Sequence, residues 1–312
     1  MEIRQLRHFV AAVEAGNLRK ASEDVHITHP AMSMSMKNLE KSLGTKLLIK
    51  DRRGVQMTYA GELFLKSAHS ILRQIDDLQT ALLSTHESPT GTVRLGIPYG
   101  VNNALAAPLY RIIKQNLPGV RLEIEEGNTT ILERLYEQNI IDVMINYDCI
   151  ERMDQKIEAL FIEHLYFVSA YDAKLAKNAK ISSRELSKLP IVSSPGTHSM
   201  RKTFEKYAEN NNFEFEFNDD FQSAHASLKI VIDGHADTIA PWDLIHDYVE
   251  SNLISARKIV NPVMERKMFL VSSLRRAHSP AVNAIIDAIK MAVRDAKNSD
   301  KVRGRNFTNL EK

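Results

Sequence analysis

At 312 residues, with 44% hydrophobic and 26% charged positions, the chain has an ordinary globular composition and room for two or three domains. A net charge of +2 excludes no class of partner, whereas the one cysteine, Cys149, excludes an intrachain disulfide and suits a reducing compartment. No apolar run approaches the roughly 18 residues of a membrane span, and the opening MEIRQLRHFVAAVEAG breaks its apolar positions with charges, unlike a signal peptide, so a cytoplasmic protein is expected.

The first sixty residues set Arg4, Arg7, Arg19, Lys20, Lys37, Lys41, Lys46, Lys50, Arg52 and Arg53 against Glu2, Glu14, Glu23, Asp24, Glu40 and Asp51. This local basic excess suits a polyanion, or simply a solvated surface. Leu6, Phe9, Val10 and Val13 recur at helical spacing up to Gly16, which stops the helix. A short helix is predicted from Leu18 to Val25, with Leu18, Ala21 and Val25 on one face. The segment HIT is a tight connection, and Pro30 suits the first turn of the next helix, where its missing N–H is not needed. Two short helices joined by about three or four residues make a helix-turn-helix unit. LGTKLLIKDRRGVQMT then reads as a helix end at Gly44, a strand, a basic turn and a returning strand, which is a wing. Thr58 is the expected N-cap of a long helix. In it Phe64, Ala68, Ile71, Ile75, Leu78 and Leu82 step by four and three as a heptad seam. A dimer partner is the expected cover for that stripe, and another part of the same chain is the alternative.

STHESPTG, residues 84–91, is polar and without periodicity, and reads as a linker. Beyond it strands and helices alternate: TVRLGI, a helix over Leu105 to Leu117, VRLEIEE, a helix around Leu132 and Leu135, then IDVMIN. That rhythm predicts a parallel sheet covered by helices. A second series runs HLYFVSA, LPIVSS, a helix from about Ser199 to Asn210, FEFEFN, a helix around Leu228 to Ile232, and DTIAP. RKMFLVSS and a helix from about Ser279 to Lys297 close the chain.

These residues resemble the LysR-type transcriptional regulators. PAMS, Leu39 with Glu40, LG, RGV, and Thr58 with Ala60 and Gly61 keep that family's spacing, and a weaker likeness extends over nearly the whole chain. Within the family the sequence is most similar to the nitrogen assimilation control subgroup. The resemblance implies an α/β protein with an N-terminal winged helix-turn-helix (1–58), a dimerising linker helix (59–88) and a two-lobed effector domain like a periplasmic binding protein. Lobe 1 would comprise 89–162 and 268–300 and lobe 2 would comprise 163–267, with a tail at 301–312. The chain would cross between lobes near Glu163 and return near Lys267.

The stretch PAMSMSMKNLE places Met32, Met34 and Met36 at alternate positions, as in a strand. At about 100° per residue, Met36 falls near ~40° from Met32, Leu39 near ~340° and Leu43 near ~20°. These four form one stripe, expected to be core, so the segment is helical and Met34 points outward. A recognition helix reads base edges through its N-terminal half, and apolar contacts there select thymine methyls. The family often has glutamine at His29 and arginine at Met34, and this chain departs at both. The expected DNA-contacting set is Thr28, His29, Pro30, Ala31, Ser33, Met34, Ser35, Lys37 and Asn38, with Lys50, Arg52 and Arg53 from the wing. In it Met34 would pack on a thymine methyl or sugar edge, His29, Ser33 and Ser35 would make polar contacts, and Lys37, Lys50, Arg52 and Arg53 would meet phosphates. A tolerated exposed methionine and a solvated wing are the bland alternatives.

In parallel α/β folds ligands sit beyond the carboxyl ends of strands, at helix N-termini. That places Tyr99, Gly100, Asn102, Asn103, Thr129, Tyr147, Ser194, Thr197 and His198 around a cleft, which by the resemblance would hold a small, often anionic effector, although a plain helix cap explains any one of them equally well. A rival is a metal enzyme: DGHAD would put Asp233, His235 and Asp237 on one face of a strand. No HExxH, G-x-S-x-G or P-loop supports it, and no cofactor is expected. The reading is a homodimeric or homotetrameric regulator, not an enzyme, that binds a pseudo-palindromic site on double-stranded DNA and answers to a small molecule. RNA polymerase is a further partner the resemblance allows, and no membrane is involved. The runner-up is an effector-independent repressor whose C-terminal domain only oligomerises.

Overall fold

Three short helices and a hairpin fold first along the chain: α1 (Ile3–Ala15), α2 (Leu18–Asp24), α3 (His29–Leu43), β1 (Leu48–Asp51) and β2 (Gly54–Met57), followed by the long α4 (Tyr59–Leu83). They belong to a computed structural model describing residues 1–51, 54–83, 89–147, 154–175, 179–274 and 279–307. The side chains of residues 50, 51, 73, 74, 77 and 79–83 are outside that description. So, of the residues singled out above, Arg52, Arg53 and Cys149 lie outside the described residues, as do the side chains of Lys50 and Leu82. The chain divides into two compact units, Met1–Glu87 with Glu137–Ile140, and Ser88–Tyr136 with Ile141–Lys312.

In the first unit each helix end has a local cause. Gly16 stops α1 at φ 62°, Asn17 accepts from the amides of Arg19 and Lys20 at the start of α2, and Thr28 accepts from Ala31 at the start of α3. Thr58 caps α4, its hydroxyl accepting from the Gly61 amide at 3.0 Å. Glycine at 61 is required, because a Cβ there would sit 2.2 Å from the Leu47 carbonyl oxygen. The Glu40 carboxylate holds the turn into β1 through the amides of Leu47 (3.0 Å) and Leu48 (3.2 Å) and the Lys46 ammonium (2.6 Å). The hairpin pairs Leu48 with Met57 and Asp51 with Gly54. Phe9, Ala12, Leu18, Ala21, Met32, Met36, Leu39 and Leu47 form the core. Three of the four expected stripe residues of α3 are therefore inside. Leu43 is not: at the last turn, beyond the reach of α1 and α2, it stays 38% exposed.

The seam of α4 needs a second correction. Phe64 stacks edge-on against Phe9 at 5.0 Å and Ala68 is fully buried, so the same chain already covers the first part of the stripe. Ile71 and Leu78 remain exposed, Leu78 at 59%.

The second unit runs β3 (Gly91–Pro98), α5 (Tyr99–Asn116), β4 (Val120–Gly127), α6 (Thr129–Glu137), β5 (Val143–Tyr147), β6 (Gln155–Ala170), β7 (Lys180–Ser182), α7 (Ser183–Leu186), β8 (Ile191–Ser193), α8 (Ser199–Asn210), β9 (Phe217–Asp220), α9 (Ala224–Ile232), β10 (Thr238–Pro241), α10 (Trp242–Glu250), β11 (Ile254–Val260), β12 (Glu265–Ser273), α11 (Pro280–Asn298) and β13 (Gly304–Arg305). The strands follow the order β4-β3-β5-β12-β6-β10-β8-β9. β3 is parallel to β4 and β5, and β8 is parallel to β9 and β10, while β6 is antiparallel to its partners. β6 serves both lobes: its first half pairs with β12 and its second half with β10 and β11. Glu163 lies where the pairing changes, opposite Arg266. Two apolar clusters fill the first lobe, around Leu95, Leu105, Ile145 and Ile289 and around Leu132 and Val271, and two fill the second, around Phe167 and Phe204 and around Val168 and Ile245.

Two expectations in this unit change. Of FEFEFN, the strand begins only at Phe217, because Phe213 and Phe215 are drawn with Phe204 and Tyr207 into an aromatic cluster. The expected tail at 301–312 is part of the fold as far as 307: Gly304 and Arg305 pair with Glu163 and Ile162, and Val302 is buried. Trp242 donates to the Asp300 carbonyl at 2.7 Å while the Arg303 guanidinium covers its ring at 3.4 Å.

Candidate functional site

On the first unit the outward face of α3 carries the residues singled out from sequence. Thr28, His29, Pro30, Ala31, Lys37 and Asn38 are exposed and Ser33 is half-buried. Met34 is 57% exposed. Ser35 differs, because its hydroxyl is held by His8 Nδ1 of α1 at 2.8 Å. Burial and the nearby Arg4 keep His8 below the usual histidine range, so this contact joins neutral groups at neutral pH. The face thus offers small polar side chains, one soft apolar side chain and a flanking cation at the N-terminal half of a helix, the arrangement that enters a major groove.

On the second unit a cavity of about 730 Å³ opens between the lobes. Tyr99, Gly100, Asn102, Asn103, Thr129, Tyr147, Ser194 and His198 line it, so sequence reasoning located most of one wall. Thr197 is exposed and does not line it, since the turn before α8 points it to solvent. The starts of α5, α6, α8, α9 and α10 all contribute lining residues, so several positive dipole ends converge here. The Thr129 hydroxyl donates to the Ser199 hydroxyl at 3.1 Å, joining the lobes across the opening. His198 caps α8 through Nδ1, accepting from the Met200 amide at 3.3 Å. Burial, then Arg266, push its pKa down.

Beyond Tyr147 the floor was not foreseen. Arg266 is 5% exposed and lines the cavity. Its guanidinium donates to Glu163 Oε1 through Nε at 2.7 Å and through Nη2, and lies 3.7 Å from the Tyr147 ring. The Tyr147 hydroxyl donates to Glu163 Oε2 at 3.3 Å, and burial, then Glu163, raise its pKa well above the ordinary value. Burial disfavours the Arg266 charge, but the Glu163 carboxylate more than offsets this. Asp243, in the first turn of α10, is 7% exposed, and neither carboxyl oxygen makes a hydrogen bond of normal geometry. Burial and the Glu163 charge push it up to about 8, against the opposing pull of Arg266 and the adjacent amides. The Ser193 hydroxyl and Asn102 Oδ1, both on the cavity wall, are also buried without a partner. The resemblance marks Glu163 only as a crossing point between lobes, and Arg266 and Asp243 carry no assignment from sequence. The one available signal was a single carboxylate among mostly apolar neighbours at Glu163 and Asp243, and Arg266, between Glu265 and Lys267, gave none.

The metal alternative meets a different geometry. Asp233 is the C-cap of α9 and Gly234 turns at φ 75°, so Asp233, His235 and Asp237 follow a turn and not a strand face. Among the described residues no three His, Cys, Asp or Glu side chains gather as a metal site, and no helix is long and apolar enough to cross a membrane.

Residues 3–62 match the bacterial regulatory helix-turn-helix proteins of the lysR family, and residues 86–294 match the LysR substrate binding domain. The chain belongs to the LysR family. Among its relatives, the nitrogen assimilation regulatory protein of Klebsiella aerogenes is 31% identical over 55% of this chain and 57% of that protein. The Escherichia coli hca operon transcriptional activator is 29% identical over 64% and 67%. The alignment to the nitrogen regulator therefore spans little more than half of that relative. Full-length OxyR from Pseudomonas aeruginosa superposes with a TM-score of 0.71 at 21% identity, covering 94% of this chain and 98% of that one. Full-length CbnR with its target DNA gives 0.69 at 19% identity, covering 94% and 100%. At such identities these two likenesses speak for the fold, a LysR-type helix-turn-helix followed by an α/β substrate-binding domain.

Proposed function

We propose that the chain is a sequence-specific transcriptional regulator, acting in the cytoplasm as a homo-oligomer on double-stranded DNA and modulated by a small molecule held between the lobes. The observation that carries this reading is α3: one side is locked into the core by Met32, Met36 and Leu39, while Met34, Lys37 and Asn38 face outward. The CbnR neighbour is named as a complex with target DNA, which supports the same use of the face. His29, Ser33 and Met34 select bases, Met34 through a thymine methyl or sugar edge, and Lys37 meets phosphate. Ser35 shapes the helix through His8. The wing cations Lys50, Arg52 and Arg53 are assigned to phosphate by sequence alone. Exposed Ile71 and Leu78 on α4 supply the apolar surface of a dimer contact.

The test is affinity for duplex fragments, including the region upstream of its own gene, measured by fluorescence anisotropy against salt. Binding should weaken steeply as salt rises. Absence of any salt-sensitive affinity overturns the regulator reading. For the cleft, thermal stability across a metabolite panel should show a saturable shift with at least one compound.

A further inference from the structure

Converging helix N-termini favour anions at the cleft walls, but they do not account for its floor. There a buried guanidinium is engaged by one carboxylate, Glu163, while a second buried carboxyl near enough to feel both charges, Asp243, makes no hydrogen bond of normal geometry. Arg266 commits Nε and Nη2 to Glu163. A guanidinium has five N–H donors, and this one also forms part of the cavity lining. Asp243 stands behind the wall, its Oδ1 only 3.2 Å from where a Cβ on Gly100 would lie. Glycine at that position brings the carboxyl against the surface a ligand would touch.

Charge counting then decides what the floor accepts. Arg266 and Glu163 cancel. With Asp243 protonated the floor is neutral and its guanidinium can take an anion; with Asp243 ionised it already carries a surplus negative charge in a poorly solvated place. Building on the effector-site reading, we propose that Arg266 anchors an anionic group of the effector and that Asp243 competes with that anion for the guanidinium, so that binding is coupled to uptake of a proton from solvent by Asp243. The effector class is a small carboxylate, and the unpartnered Ser193 hydroxyl lining the same cavity offers it a further donor.

The groups acting on Asp243 are few. Glu163 on β6, Arg266 on β12 and Tyr147 on β5 face it. β10 carries no titratable side chain, and the nearest α5 position is Gly100. On β11, Arg257 lies over the Phe167 ring and Lys258 beside His164. His246 of α10 itself is engaged with Asp247, and His198 is held neutral. Asp243 is therefore the group whose ionisation changes the floor near pH 8.

The experiment is titration calorimetry of the full chain with acetate, succinate, hexanoate and benzoate, each beside its amide, in two buffers of different ionisation enthalpy. At pH 8 at least one carboxylate should bind saturably with uptake of about half a proton, and its affinity should fall about tenfold per pH unit above that. The amides should bind weakly, without uptake. Asp243→Asn, which leaves the Arg266–Glu163 pair intact, should abolish the uptake and flatten the pH profile while retaining the carboxylate preference. Amides binding as well as their acids, or an unchanged proton uptake in Asp243→Asn, overturns the proposal while leaving the cleft an effector site. Saturable binding of no carboxylate and no amide overturns both.

Discussion

In the helix-turn-helix unit the carboxylate of Glu40 has three donors within 3.2 Å, whereas in the substrate-binding unit the carboxyl of Asp243 has none. Both carboxyls lie on helices, and both are taken partly or wholly out of water. Glu40 accepts from the backbone amides of Leu47 and Leu48 in the turn to the wing, so it is a structural brace. Asp243 is held beside a like charge and a cavity, so the fold pays to keep it there. The contrast teaches that a sheltered acid with complete partners marks architecture, and one without them marks a place where binding or protonation matters.

The most severe way to break the comparison is to take a partner from the substrate-binding unit. Arg266→Met strands Glu163 as a buried charge and should cost about 3–5 kcal/mol in chemical denaturation. The double variant Glu163→Gln/Arg266→Met should recover most of that loss, and a double variant as unstable as the single one would contradict the pairing. A smaller loss is expected from Glu40→Gln, about 1.5–3 kcal/mol in the helix-turn-helix unit at pH 7. Burial raises the Glu40 pKa, but Lys46 and the amides of Leu48 and Leu47 outweigh it and lower it overall. The stability it contributes is therefore present above its ordinary value of 4.5 and lost as pH falls through the lowered one.

Asp243 has the opposite sign. Its folded pKa is raised from 3.8 to about 8, so the folded state holds a proton the unfolded chain has released, and stability falls as pH rises between those values. Asp243→Asn should remove that decline and gain about 1–2 kcal/mol at pH 7, read as a flatter plot of melting temperature against pH. The smallest energetic effect sharpens the comparison from the DNA side. Met34→Arg should change stability by less than about 0.5 kcal/mol yet alter the preferred sequence in binding-site selection. An unchanged preference would remove Met34 from base reading.

Much of the helix-turn-helix unit was legible because its determinants are close in sequence. Gly16, Thr28, Pro30, Gly44 and Thr58 each act within a few residues, and the period of Met32, Met36 and Leu39 identifies the buried side of α3. The period alone could not tell that Leu43 lies past the core or that Phe9 covers Phe64, because both depend on where another helix ends. In the second unit the cleft walls were legible for the same local reason, as loops ahead of helix N-termini. Of the floor only Tyr147 was legible: it meets Glu163, Asp243 and Arg266, which come from three other elements, only through the sheet order. A lone arginine in RKMFLVSS carries no sign that its partner lies 103 positions earlier.

β6 is one uninterrupted strand that belongs to both lobes, and at Glu163 it is hydrogen-bonded on one flank to β12 and on the other to β13. The lobes are therefore joined at a three-ribbon waist of paired strands, so a change in the angle between them has to be taken up partly as twist in those strands. Arg266 stands at the middle of that waist, opposite Glu163.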